Sequence, residues 1–312
     1  MLRYSFSRAL LFIPTLLGMT ALTFVIMQVT PGSPFSPSAA NGITPEMIHN
    51  LEKKYGLDKP LYTRFGLYVW HSLHGDFGTS YAYRPQQVSE IIRRSFPTSL
   101  FLGSMAVTFA IMVGMTLGIL AAVNQNGIID YISVTIAILF YSMPNFVMGF
   151  VLILVFAVWL PGHGVHTGLR VNGWETPRDW ILPTIALGAA PLATLARYTR
   201  SSMIDVIRSD YVRTARAKGL SEQKVVFKHV LKNALIPVVT LIGPIFAAVG
   251  TGSFFVEQVF GVPGMGKYYV QSMQTHDQTM ILAVTLLYGV FLAGMNLLVD
   301  IAYGLIDPRI RY

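Results

Sequence analysis

From Ser95 to Ile129 the chain reads SFPTSLFLGSMAVTFAIMVGMTLGILAAVNQNGII, 35 residues without one charged side chain. A helix crosses the hydrocarbon core of a bilayer with about 20 mostly apolar residues, so this run is a membrane span. Working outward, Asp130 is followed by 39 uncharged positions before Arg170, and 37 more lie between Arg8 and Glu46. Further gaps of 17 and 24 residues separate Asp179 from Arg197 and Lys232 from Glu257, and Asp277 to Arg309 is broken only by Asp300 and Asp307. Charged residues make up 12% of the 312, roughly half the share of about 25% in soluble domains. The pattern predicts an all-α polytopic membrane protein and excludes a soluble enzyme.

Six spans are expected: Ala9–Val29, Pro97–Val123, Ile132–Leu160, Ile181–Arg197, Leu235–Val256 and Thr279–Tyr303. The first follows Arg3 and Arg8 as a signal peptide would. Its apolar run exceeds the h-region of about 7–15 residues and no small-residue cleavage site follows, so it is read as an anchor. With the N-terminus inside, the inner segments hold 13 Lys and Arg and the short outer loops hold 3, namely Arg170, Arg178 and Lys267. The remaining 7 lie in the long segment 31–97, and long loops translocate largely regardless of charge. Both termini are therefore expected in the cytoplasm.

Segment 31–97 carries helix punctuation of its own. Thr44, Pro45 and Glu46 open a helix that Gly56 ends, and Pro60 opens another running to about Leu73, with His74-Gly75-Asp76 as its stop. Gln86–Arg94 is a short amphipathic lead into span two. The expectation is a helical extracytoplasmic cap, giving an organisation of anchor and cap over 1–94, a membrane-spanning core over 95–305 and a tail over 306–312.

No ionisable residue falls near the middle of a predicted span, which leaves a gradient-driven transporter without its usual proton or sodium carrier. Gly114 and Gly118 form a GxxxG pair, read as ordinary close helix packing. Ser142-Met143-Pro144-Asn145 interrupts span three, where Pro144 frees a carbonyl. A kink alone is one role; Ser142 and Asn145 facing a translocation path is the other. Pro191 in span four is a similar case.

Gly261-Val-Pro-Gly-Met-Gly266-Lys267-Tyr268 approaches the phosphate-loop pattern, but Tyr268 stands where the Mg-binding hydroxyl belongs and no strand precedes it. It is read as an outer turn. His71 with His74, and His163 with His166, have the spacing of paired metal ligands, yet neither pair has a third in register. No metal site is expected. The chain has no cysteine, which excludes disulfides and thiolate chemistry.

The most informative segment is 200–236, polar, basic and helix-forming. Asp210–Lys218 reads as a short helix stopped by Gly219; Ser221 is placed to cap a second, with Glu222 at its positive end. Val226, Val230 and Leu231 mark an apolar stripe, and Lys224, Lys228 and Lys232 another face. A solvated basic loop beside anionic lipid is the plainer reading. A helix–Gly–helix knob projecting into a groove on a partner is the sharper one.

Tyr211-Val-Arg-Thr-Ala-Arg-Ala-Lys-Gly-Leu220, with His229-Val-Leu-Lys-Asn-Ala-Leu-Ile-Pro237, resembles the cytoplasmic "EAA" loop of ABC importer permeases. Within that family it is similar to the oligopeptide, dipeptide and nickel branch, and most of all to B-type subunits of oligopeptide permeases. Thr30-Pro-Gly-Ser-Pro34, Tyr55-Gly-Leu-Asp-Lys-Pro60, Arg197-Tyr-Thr-Arg-Ser-Ser-Met203 and Asp307-Pro-Arg-Ile-Arg-Tyr312 extend the resemblance over nearly the whole chain. It departs where Arg213-Thr-Ala215 replaces Glu-Ala-Ala and where Lys232 replaces a proline.

The resemblance implies a six-helix subunit in the cytoplasmic membrane of a bacterium, paired with a second, homologous permease. Two ATPases would bind ATP and Mg and dock on Tyr211, Arg213, Thr214, Ala215, Arg216, Ala217, Lys218, Gly219 and Leu220. An extracytoplasmic binding protein would deliver a peptide. The chain itself would hold no cofactor, bind no nucleic acid and catalyse nothing. A nickel or glutathione importer is the alternative within the branch; a channel or membrane-embedded enzyme is the alternative outside it.

Overall fold

The computed structural model describes residues 2–31, 53, 56, 58–83, 86–250 and 252–306. Most of the predicted helix opening at Thr44 lies outside them. The described residues form α1 (Leu2–Val29), α2 (Leu61–Leu73), α3 (Val88–Val123), α4 (Ile128–Ser142), α5 (Asn145–Gly162), α6 (Pro177–Ile207), α7 (Asp210–Ala217), α8 (Glu222–Val249), α9 (Phe254–Phe260), α10 (Gly266–Gln274) and α11 (Gln278–Ile306). Six of these, α1, α3, α5, α6, α8 and α11, are long and apolar enough to cross a membrane.

Three expectations need correction. Span three is two helices: Met143 and Pro144 adopt extended backbone, with ψ of 127° and 142°, and separate α4 from α5. Proline disfavours helical geometry in the residue before it, and here the whole helix stops. Span five ends at Val249, not Val256, and α9 is a separate short helix. Span four is far longer than its apolar stretch. Pro177 stands in its first turn, the Asp179 carboxylate accepts the Thr176 N–H at 2.7 Å, and the helix continues to Ile207.

Contacts divide the chain into two compact units, one chiefly from Met1–Thr98 with Gly264–Leu297, the other chiefly from Ser99–Pro263. Residues 264–297 group with the N-terminal part in this division. In the first unit, a side chain added at Gly289 of α11 would meet Met19 and Leu16 of α1, which shows how closely those helices approach. Arg64 of α2 donates to the amide oxygens of Gln28 and Gln278 at 3.1 and 3.0 Å. Buried Asp277 accepts from the Ser80 hydroxyl and from the Met280 N–H at 3.2 Å, starting α11. Tyr83, half-buried near Tyr268 and Asp277, has its phenol pushed up to about 12, first by desolvation and then by those neighbours.

The second unit is organised around α6, whose Leu182, Leu187, Leu192, Leu195 and Met203 are essentially inaccessible. Over Leu182–Ala196 the helix carries no charge and is buried on nearly every side, as the centre of a bundle is. The GxxxG pair lies against it: a Cβ added at Gly114 would fall 2.6 Å from the Leu192 carbonyl oxygen, and one at Gly118 2.5 Å from that of Ala196. Small residues let backbones meet at this distance. Among the described residues, π-helical turns at Ala110–Gly114, Leu154–Trp159 and Val225–Val230 interrupt α3, α5 and α8.

Candidate functional site

Beyond Ile207 the chain turns at Arg208 and Ser209, where the Ser209 hydroxyl donates to the Val206 carbonyl at 2.6 Å. Asp210 then begins α7, an acidic residue at the positive helix end. The helix stops at Gly219, whose N–H returns to the Arg216 carbonyl at 2.9 Å. Gly219 has φ +76° with open space around its Cα. It is glycine for its torsion alone. Ser221 occupies the N-cap of α8 with extended backbone, as expected, but makes no capping hydrogen bond through its side chain.

The adjacent Glu222 serves the turn instead. Its carboxylate accepts two hydrogen bonds from Arg216, at 2.6 Å from Nη2 and 3.1 Å from Nε. This forked pair straddles Gly219 and raises the basicity of the Arg216 guanidinium through that hydrogen bond. A second tie runs from the Asn233 amide to the Tyr211 hydroxyl at 3.0 Å. Together they hold the two helices of the knob at one angle.

The knob has two unlike faces. Val212 and Ala215 of α7, with Val225, Val226, Val230 and Ala234 of α8, are buried in one cluster with Met203 and Ile204 of α6. Leu231, expected in that stripe, is only partly buried at its margin. The π turn at 225–230 brings Val225 into the buried set. Ala215, among the expected docking residues, is thus spent on the protein's own core. Tyr211, Arg213, Thr214, Arg216, Ala217, Lys218, Gly219 and Leu220 are all exposed, as are Lys224, Lys228 and Lys232. The outer face is a basic surface on a rigid base, suited to an acidic or polar groove.

Sequence reasoning did not find the contact behind the knob. Asp130, in the first turn of α4, is buried and accepts from Arg200 Nε at 2.6 Å and Nη2 at 2.7 Å. The Asn126 N–H adds a third hydrogen bond at 2.9 Å. This clamp fixes the start of α4 to α6, two turns before the knob begins. The available signal was Asp130 itself, a lone acid between two long uncharged runs.

The expected path residues are not brought together. Ser142 lines a groove of about 290 Å³ with Tyr141, Arg197 and Arg200, and Asn145 does not. The Ser142 hydroxyl turns back onto the Ile138 carbonyl at 2.8 Å. His71 lies 3.8 Å from Asp76, while the Nδ1 atoms of His74 and His163 approach the carbonyls of Trp70 and Trp159. The turn after Gly261 is packed, with Val262 and Met265 buried.

Residues 1–103 match the family described as the N-terminal part of a binding-protein-dependent transport system membrane component, and 114–312 match the inner membrane component itself. The dipeptide transport system permease protein DppB of Bacillus subtilis is 43% identical over all of this chain and 98% of its own length. The oligopeptide transport system permease protein OppB of Haemophilus influenzae is 42% identical over the whole of both chains. A crystal structure of an amino acid ABC transporter shares the fold at a TM-score of 0.51 and 16% identity, over 68% of this chain and 92% of that one. The chain belongs to the inner membrane components of binding-protein-dependent transport systems.

Proposed function

We propose that this protein is a permease subunit of an ABC importer that brings dipeptides or oligopeptides across the cytoplasmic membrane by alternating access. The observation that carries the reading is end-to-end similarity, above 40%, to permeases named for those two substrates. The knob supports the mechanism. Its exposed basic face docks on ATPase subunits that bind ATP and Mg, and its buried face passes their motion into α6. A second, homologous permease closes the path, and an extracytoplasmic binding protein delivers the peptide. Both termini are cytoplasmic, and the helices of 31–97 lie outside.

The test is uptake of labelled dipeptides and oligopeptides, with nickel and glutathione in parallel, in cells lacking this chain and then supplied with it. Peptide uptake returns. Loss of nickel or glutathione uptake with no peptide effect overturns the substrate. The double variant Arg213→Glu and Lys218→Glu reaches the membrane at normal abundance but transports no peptide and fails to couple ATP hydrolysis to uptake. Normal uptake in that variant overturns the docking surface.

A further inference from the structure

The groove beside Ser142 is a different kind of site from the knob. Its walls come from α3, α4 and α6, chiefly Leu117, Ala121, Val134, Ala137, Ile138 and Ala193. Nearly all its surface is hydrocarbon, and Arg197 and Arg200 stand at its edge. These two arginines are three residues apart on α6 and differ completely. Arg200 is neutralised by the Asp130 carboxylate. Arg197 is exposed and lies over the Tyr141 ring, its guanidinium carbon 5.0 Å from the centroid. No carboxylate lies within ion-pair distance of it among the described residues.

An apolar slot with one uncompensated cation at its mouth calls for an anionic amphiphile. A peptide would bring backbone amides needing hydrogen bonds. The slot offers few, since Ser142 is committed to its own helix and Ser133 is the other serine hydroxyl in its lining. A helix of another subunit would cover the apolar wall but would have to bring an acid of its own to answer the guanidinium. An anionic phospholipid satisfies both, because basic pockets between membrane helices hold lipid headgroups and a guanidinium pairs well with phosphate.

We propose that this groove binds an anionic phospholipid, with an acyl chain along Leu117, Val134 and Ile138 and the phosphate on Arg197. The Tyr141 ring supports the guanidinium from below and holds it at the mouth. Arg200 is excluded from the headgroup by its bond to Asp130, so the site carries one positive charge and not two.

The experiment uses phosphatidylglycerol and phosphatidylcholine with a photoactivatable group in the acyl chain. Each is incorporated into membranes holding the full chain with its natural partner subunits. Phosphatidylglycerol labels the segments containing Val134–Ser142 and Ala193–Arg197, and phosphatidylcholine labels them about fivefold less, the effect of one basic residue at a lipid surface. Arg197→Gln lowers phosphatidylglycerol labelling by the same factor, and Arg197→Lys restores most of it. Val134→Trp, which fills the slot and leaves Arg197 in place, abolishes it. Equal labelling by both lipids, or labelling unchanged in Arg197→Gln and Val134→Trp, overturns the proposal. So does displacement of the label by transported peptide, or a disulfide from Ile138→Cys to a cysteine on a neighbouring subunit.

Discussion

The seam where α3 meets α6 and the knob between α6 and α8 both depend on glycine, for opposite reasons. At Gly118 the torsions are helical and the neighbours leave no room: an added Cβ would lie 2.5 Å from the Ala196 carbonyl oxygen and 2.6 Å from the Thr199 Cβ. At Gly219 there is room on every side and the torsion, φ +76°, is the constraint. The seam uses glycine to build the molecule; the knob uses it to aim a surface. Damage to the first is expected to remove the protein, and damage to the second to leave it folded with the outer face of the knob misdirected.

Three substitutions test this contrast. Gly118→Leu has the largest effect. Ordinary overpacking costs about 1–3 kcal/mol, and here the obstacle is backbone that cannot rotate away. The expected result is little or no monodisperse protein after extraction; a normal yield would break the comparison at its stronger end. Asp130→Ala comes next. It leaves Arg200 uncompensated, a loss of about 3 kcal/mol, the lower end of the range for a broken buried pair because Arg200 keeps some solvent contact. Thermal unfolding in detergent reads it, and the exchanged pair Asp130→Arg with Arg200→Asp recovers part of the loss. Gly219→Val has the smallest effect on stability, about 1–2 kcal/mol of torsional strain. Membrane abundance stays normal while uptake falls to background. Lost abundance would show that the torsion at Gly219 also holds the buried face of the knob in place, and does not only aim its outer face.

What could be read in the sequence follows from the range of the forces involved. Spans are legible because a charge in hydrocarbon is costly at any position, so Arg94 and Asp130 bracket a helix without help from elsewhere. The knob was legible because its turn is local: Asp210 and Gly219 act within a few residues, and Ser221 marks the next helix start by position, without a side-chain cap. The break at Pro144 was half legible, since a proline announces disruption but not whether the helix bends or ends. The Asp130–Arg200 pair was not legible, because it joins positions 70 apart. Nor were the π turns. Each takes in an extra residue, and no local residue preference marks where it falls. That is why Leu231 was expected in a stripe to which Val225 belongs. Facing was the hardest property of all: Ala215 sits among exposed neighbours in sequence and inside a core in space.

One dimension of α6 has a mechanical consequence. Its 31 residues make a rod about 46 Å long at 1.5 Å per residue, against a hydrocarbon thickness of about 30 Å. The surplus, about three turns, is longer than a span requires. Arg200 and its clamp to α4 lie in the final third of this rod, and α7 hangs from its tip. That length gives any rotation of the helix a long radius. Pivoting it by about 10° about its far end would sweep the tip through about 8 Å, more than one helical turn. A rotation of that size deep in the bundle would thus appear at the knob as a large displacement, to the extent that the helix carries it past Pro183 and Pro191.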